Sequence, residues 1–97
     1  MQRQYELVYI ALPDSTEEQL AELHQQVQTV VDRFGGTIER TEPWGRRRLA
    51  YEIRKKSEGI YAVINLTANP ADVKELDRQF TISEQIMRTK VIRPDLH

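Results

Sequence analysis

The chain contains no cysteine. Disulfides and thiolate-bound metals are therefore excluded as explanations of its stability or chemistry. No run approaches 18 consecutive apolar residues, so no segment reads as a membrane span. The first residues, Met1-Gln2-Arg3-Gln4-Tyr5-Glu6, contain no apolar signal region. Internal repeats, low-complexity stretches and linkers are also missing. What is left is a chain of 97 residues, read as one domain over 1–97, long enough to enclose a two-layer core.

Excess charge is missing too: the net charge is −1. Dividing the chain changes that picture. Residues 1–39 carry two basic and seven acidic groups. Residues 40–56 carry seven basic groups (Arg40, Arg46, Arg47, Arg48, Arg54, Lys55, Lys56) against Glu42 and Glu52. Residues 57–97 are nearly balanced. A Debye length of about 8 Å at physiological salt lets such a patch act locally. At its centre is Trp44-Gly45-Arg46-Arg47-Arg48-Leu49-Ala50-Tyr51-Glu52-Ile53. Arginine is costly to bury unpaired and does not lose its proton. Three in succession require solvent or an anionic partner, and the guanidinium fork suits phosphate.

Periodicity gives the elements. Tyr5 to Leu12 reads as a central strand, with Leu7, Tyr9 and Ala11 on one face and Val8 and Ile10 on the other. Ser15 with Glu18 fits a capping box opening a helix. Leu20, Leu23, Val27, Val30, Val31 and Phe34 follow at helical spacing, and Gly35-Gly36 ends the run. Thr37 to Arg54 is extended, with a break expected near Pro43-Trp44-Gly45. Ser57-Glu58-Gly59 reads as a turn, and 60–68 alternates as a second hairpin strand. Asn69-Pro70 starts a second helix, with Asn as cap. Val73, Leu76 and Phe80 form its stripe. Ile86 to Ile92 is the last strand. The order β-α-β-β-α-β, with right-handed crossovers, predicts an α+β ferredoxin-like sandwich: a four-stranded antiparallel sheet with two helices on one face.

The other sheet face is left uncovered. By parity, Ile86, Arg88, Lys90 and Ile92 join Val8, Ile10, Tyr61 and Val63 there, while Met87, Thr89 and Val91 face the helices. So many β-branched and aromatic residues predict a protein partner on that face. By the same rule Tyr51 points into the core with Leu49 and Ile53. Trp44 either stacks on a base or caps the core.

Other functions fit poorly. Single-strand RNA recognition on a sheet of this kind calls for K/R-G-F/Y-G/A-F-V-x-F/Y. Glu58-Gly59-Ile60-Tyr61-Ala62-Val63-Ile64-Asn65 lacks the cation and most of the aromatics. Contact to phosphates and RNA shape is favoured instead. Leu12-Pro13-Asp14-Ser15-Thr16 offers no glycine-rich anion cradle for a phosphatase. His24 has no paired ligand at helical spacing, and His97 is terminal. Glu17, Glu18 and Glu22 suit the helix dipole. No enzyme activity, cofactor or metal is expected.

The chain resembles the family of the sixth protein of the bacterial small ribosomal subunit. The resemblance is carried by the Tyr5-Glu6 strand running to Pro13, the Trp-Gly-Arg-Arg-x-Leu-Ala-Tyr core at 44–51, and the closing Ile86-Met87-Arg88-Thr89-Lys90-Val91-Ile92-Arg93. The family often has Pro where this chain has Glu52. The resemblance implies a ferredoxin-like structural constituent of the small subunit, in a bacterial cytoplasmic or plastid ribosome. It also implies binding to the central domain of 16S ribosomal RNA together with the eighteenth small-subunit protein. Carried over, Arg46, Arg47 and Arg48 lie near RNA, with Arg3 and Arg88 contributing. The full RNA-facing set expected is Arg3, Trp44, Arg46, Arg47, Arg48, Arg54, Lys55, Lys56, Arg88, Lys90 and Arg93. The partner-facing set is Val8, Ile10, Tyr61, Val63, Ile86 and Ile92. The free chain is expected to be a monomer that spans no membrane. The alternative is a non-ribosomal ferredoxin-like regulatory or dimerisation domain.

Overall fold

A computed structural model describes residues 1–94; His97 lies outside them. The elements run β1 (Arg3–Ala11), α1 (Glu17–Arg33), β2 (Thr37–Ile53), β3 (Lys56–Ala68), α2 (Pro70–Ile82) and β4 (Ile86–Ile92). The strands form one antiparallel sheet in the order β2-β3-β1-β4. This is the ferredoxin-like arrangement the periodicity predicts.

Alternation on the two central strands builds the main core. Tyr5, Leu7, Tyr9 and Ala11 of β1 and Ala62, Ile64, Leu66 and Ala68 of β3 turn to the helix side. There they meet Leu23, Val27, Val30 and Val31 of α1 and Val73, Leu76 and Phe80 of α2. Burying such side chains contributes roughly 1.5–3 kcal/mol each, which drives the two-layer packing.

Four local expectations need correction. The α1 cap is Thr16, not Ser15: Thr16 Oγ1 accepts from Gln19 N at 3.1 Å, and Gln19 Oε1 accepts from Thr16 N at 2.8 Å. The box is intact but shifted by one residue. Asn69 holds the cap position of α2, yet its side chain makes no capping hydrogen bond. The hairpin turn is not at Ser57-Glu58-Gly59, which lies within β3. It is the two-residue turn Arg54-Lys55, closed by the Ile53↔Lys56 pair. Both turn residues have positive φ, 52° and 63°, the conformation a tight hairpin of this type requires. Finally, β2 is not interrupted at Pro43-Trp44-Gly45. The irregularity there is a register shift, which Gly45 accommodates at φ 80°. Pro43 is tolerated because β2 is an edge strand.

A fifth correction moves a site residue. Ile86 is buried in the helix-side core, not on the open face. The ladder between β1 and β4 slips at Ile10/Ala11, so that Ala11 pairs with Ile86 while Ile10 pairs with Arg88. Met87 is the extra residue of this bulge, and a bulge inverts parity for the residues on its far side. Met87 therefore packs with Ile10 and Leu49 in a second, smaller cluster.

Candidate nucleic-acid interface

The long hairpin positions the basic residues. The β1–β3 ladder ends at Ala11↔Ile60, but β2 and β3 continue together from Arg46↔Ile60 to Ile53↔Lys56. The result is a two-stranded ribbon over residues 46–59. Its sequence carries Arg46, Arg47, Arg48, Arg54, Lys55 and Lys56, all exposed. Leu49 is buried against Ile10 and Met87, with Ile53, Leu12 and Tyr61 beside it. This small apolar contact seats the ribbon on the end of the sheet.

Arginines reinforce that seat. Arg46 Nη2 donates to the carbonyl of Pro13 at 2.6 Å, in the β1–α1 connection. Arg54 Nη1 donates to the carbonyl of Glu84 at 3.3 Å, in the α2–β4 connection. Arg88 Nη1 donates to the Tyr51 hydroxyl, and its guanidinium carbon lies 5.3 Å from the Tyr51 ring centroid. Tyr51 is 59% exposed, which corrects the expectation that it points into the core. Leu49 and Ile53 on either side of it pack with Ile10 and Met87, whereas the neighbour at Tyr51 is the Arg88 side chain rather than a core.

Trp44 neither caps the helix-side core nor stands free. Its ring is stacked against Tyr61, centroids 6.4 Å apart and planes 12° apart. The Arg47 guanidinium lies 5.5 Å from the Trp44 centroid. Trp44 also borders an open hollow of about 540 Å³ on the uncovered face, lined by Val8, Val63, Ile92, Glu6, Asn65, Glu39, Arg40 and Glu42. Of the partner-facing set, Val8, Val63 and Ile92 meet at this hollow, with Tyr61 behind Trp44. Ile10 lies under the ribbon instead and is buried. Val63 is buried, so it is floor rather than rim.

Arg88 and Lys90 pair with Ile10 and Val8, which puts both cations on the open face as parity predicts. Arg3 sits at the start of β1, paired with Ala68, at the opposite end of the strand from the ribbon. Arg93 follows β4 at that same end of the sheet. The RNA-facing set is thus divided between two ends of β1. Sequence reasoning missed the polar rim of the hollow, Glu6, Glu39 and Glu42. Alternation of Glu6 with Val8, and of Glu42 with Trp44, was the signal available for it. No sequence signal marks the Pro13 and Glu84 carbonyls as arginine acceptors, because backbone acceptors are common to all residues.

The patch keeps its charge. Among the described residues the ion pairs are Arg40–Glu42 at 2.8 Å and Arg78–Glu75 at 2.6 Å. The bonds to Arg78 and Gln79 hold the Glu75 carboxyl at about 2. None of Arg46, Arg47, Arg54 and Arg88 is paired with a carboxylate of the described residues.

The rest of the surface offers little chemistry. His24 Nε2 lies 2.6 Å from the Tyr9 hydroxyl. Burial lowers the His24 pKa and pushes the Tyr9 phenol up to about 12. Among the described residues no three His, Asp or Glu side chains gather to hold a metal. Among the described residues no helix is long and apolar enough to cross a membrane.

A family model described as ribosomal protein S6 matches residues 4–93. The small ribosomal subunit protein bS6 of Acidothermus cellulolyticus is 56% identical over 93 residues, covering 96% of this chain and 97% of the relative. That of Streptomyces coelicolor is 52% identical over 95 residues, covering 98% and 99%. The crystal structure of 30S ribosomal protein S6 from Thermotoga maritima superposes with a TM-score of 0.87 at 30% identity, covering 98% of this chain and 90% of that one.

Proposed function

The chain belongs to the ribosomal protein S6 family, structural and non-enzymatic constituents of the small subunit of the bacterial cytoplasmic ribosome, and on that premise we propose that it binds 16S ribosomal RNA through the 46–59 ribbon. The observation that carries this reading is the concentration of unneutralised arginine on the ribbon and on β4 beside it. Phosphate contacts need cations whose charge is not already satisfied by carboxylates. Arg46, Arg47, Arg48, Arg54 and Arg88 form the central set, with Lys55, Lys56 and Lys90 beside it. Arg3 and Arg93, at the far end of the sheet, make a separate contact. Trp44 holds Arg47 and borders the open face.

The eighteenth small-subunit protein occupies the open face at the hollow floored by Val8, Val63 and Ile92. An apolar floor with an acidic rim suits a partner that offers apolar anchors flanked by cations. The free chain is a monomer. Four or five phosphate contacts give a slope of log affinity against log salt of only about −3 to −5. RNA binding by the chain alone is therefore weak, and the partner strengthens it by adding contacts to a joint surface.

Titration of the central-domain RNA across a salt series, with and without the partner protein, tests the reading. Arg46→Ala, Arg47→Ala and Arg48→Ala together should weaken binding and flatten the slope. An unchanged slope would move the RNA site off the ribbon. Equal affinities with and without the partner would remove the cooperative part. A tight homodimer burying the hollow would favour self-association instead.

A further inference from the structure

Tyr51 and Arg88 are 37 positions apart in sequence and meet through a hydrogen bond from the guanidinium to a neutral hydroxyl. Tyr51 is exposed and contributes to neither apolar cluster. What it touches is the guanidinium: the hydroxyl accepts from Nη1, and the ring lies alongside. A guanidinium has five N–H donors in a rigid fork. One donor given to a neutral oxygen leaves the others, and the whole positive charge, for an anion. A carboxylate partner would have cancelled that charge, as at Arg40 and Arg78. Arg46 and Arg54 are held in the same manner by the Pro13 and Glu84 carbonyls. A free arginine loses rotamer freedom when it binds, and prior ordering removes that opposition.

We propose that Tyr51 is a positioning residue that sets the Arg88 guanidinium for a phosphate of the RNA. The proposal rests on the RNA-binding reading above. Tyr51 itself makes no contact to RNA. Its hydroxyl fixes the plane of the fork, which decides whether two parallel N–H groups meet one phosphate.

The test compares Tyr51→Phe, Arg88→Gln and the double variant, using the central-domain RNA fragment with the partner protein present. Tyr51→Phe should weaken binding about three- to tenfold with an unchanged salt slope, because no cation is lost. Arg88→Gln should weaken it more and make the slope shallower by about 0.7–0.9. In the Arg88→Gln background, Tyr51→Phe should cost nothing further. A Tyr51→Phe loss that persists undiminished in that background would overturn the proposal. So would wild-type affinity in Tyr51→Phe, even with a lowered melting temperature, since that describes a latch alone. Rotation of the Arg88 side chain about its Nε–Cζ bond, measured by NMR on the free protein, separates the two readings. It should be slow in the wild type and fast in Tyr51→Phe. Equal rotation overturns the positioning role whether or not RNA binds. Slow rotation in a wild type that binds no RNA would overturn the RNA-binding reading and, with it, the phosphate role given to Arg88, while leaving the Tyr51 contact intact.

Discussion

Gly59 of β3 lies against Ile10 of β1 so closely that a Cβ on Gly59 would stand 2.4 Å from Ile10 Cγ2 and 3.3 Å from the Ala11 carbonyl oxygen. That approach lets the ribbon settle on the end of the sheet. Gly59→Ala must displace Ile10 or lift the ribbon. It should cost about 1–3 kcal/mol, as overpacking does. Urea unfolding measures the loss. A change below about 0.5 kcal/mol would show that the ribbon is not seated through this contact.

Lys55 separates charge from backbone strain. It sits at the hairpin tip with φ 63°, a conformation that costs an L residue about 1 kcal/mol relative to glycine. Lys55→Gly should therefore be more stable than Lys55→Ala by about 1 kcal/mol. The two should weaken RNA binding equally, because each removes the same cation. Thermal melts and a salt titration on both variants provide the comparison.

Ile86 and Ile92 test the two faces of β4. Ile86 lies in the helix-side core, and Ile86→Ala should cost about 2–5 kcal/mol without altering partner affinity measured below the melting transition. Ile92 lines the open hollow. Ile92→Ala should cost well under half as much stability and should weaken association with the partner protein. Reversed outcomes would place the bulge elsewhere.

The Tyr9–His24 bond predicts a pH dependence. Burial lowers the His24 pKa in the folded state, so below about pH 6.5 the unfolded chain binds the proton more readily. The contribution is fully present above the unfolded pKa and is lost as pH falls through the folded one. Stability of the wild type should fall between pH 8 and pH 5. In His24→Gln that fall should be smaller. Denaturant midpoints across the range decide it.

Much of this architecture was legible in alternation and helical spacing. The six elements, their order and the helix-side set Leu7, Tyr9, Ala11, Ile64 and Leu66 all follow from residues whose neighbours obey period two or 3.6. Legibility ended where the ladder slips. Parity from Arg88 and Lys90 predicted Ile86 on the open face, but the bulge at Ile10/Ala11 reverses it. Parity from Leu49 predicted Tyr51 inside, but at that point of the ribbon its neighbour is the Arg88 guanidinium and not a core. A slip depends on how two strands are laid together, so neither strand's own sequence records it. The turn was misplaced for a related reason. Ser57-Glu58-Gly59 has the residues of a turn, whereas Arg54-Lys55 is held at positive φ by the pairing on either side of it. The open face was foreseen as a surface, but the Trp44–Tyr61 stack and the acidic rim emerge only once β2 and β3 are in register.

The ribbon beyond Ala11↔Ile60 has another consequence. Two strands alone are marginal in water, and here they rest on one small apolar cluster and three arginine tethers. The ribbon can therefore open while the four-stranded part stays closed. Its backbone amides should exchange with solvent deuterium sooner than those of β1 and of β3 beyond Ile60, as a separate cooperative unit. RNA that clamps the ribbon should slow that exchange most at residues 46–59, leaving the helix-side core unchanged.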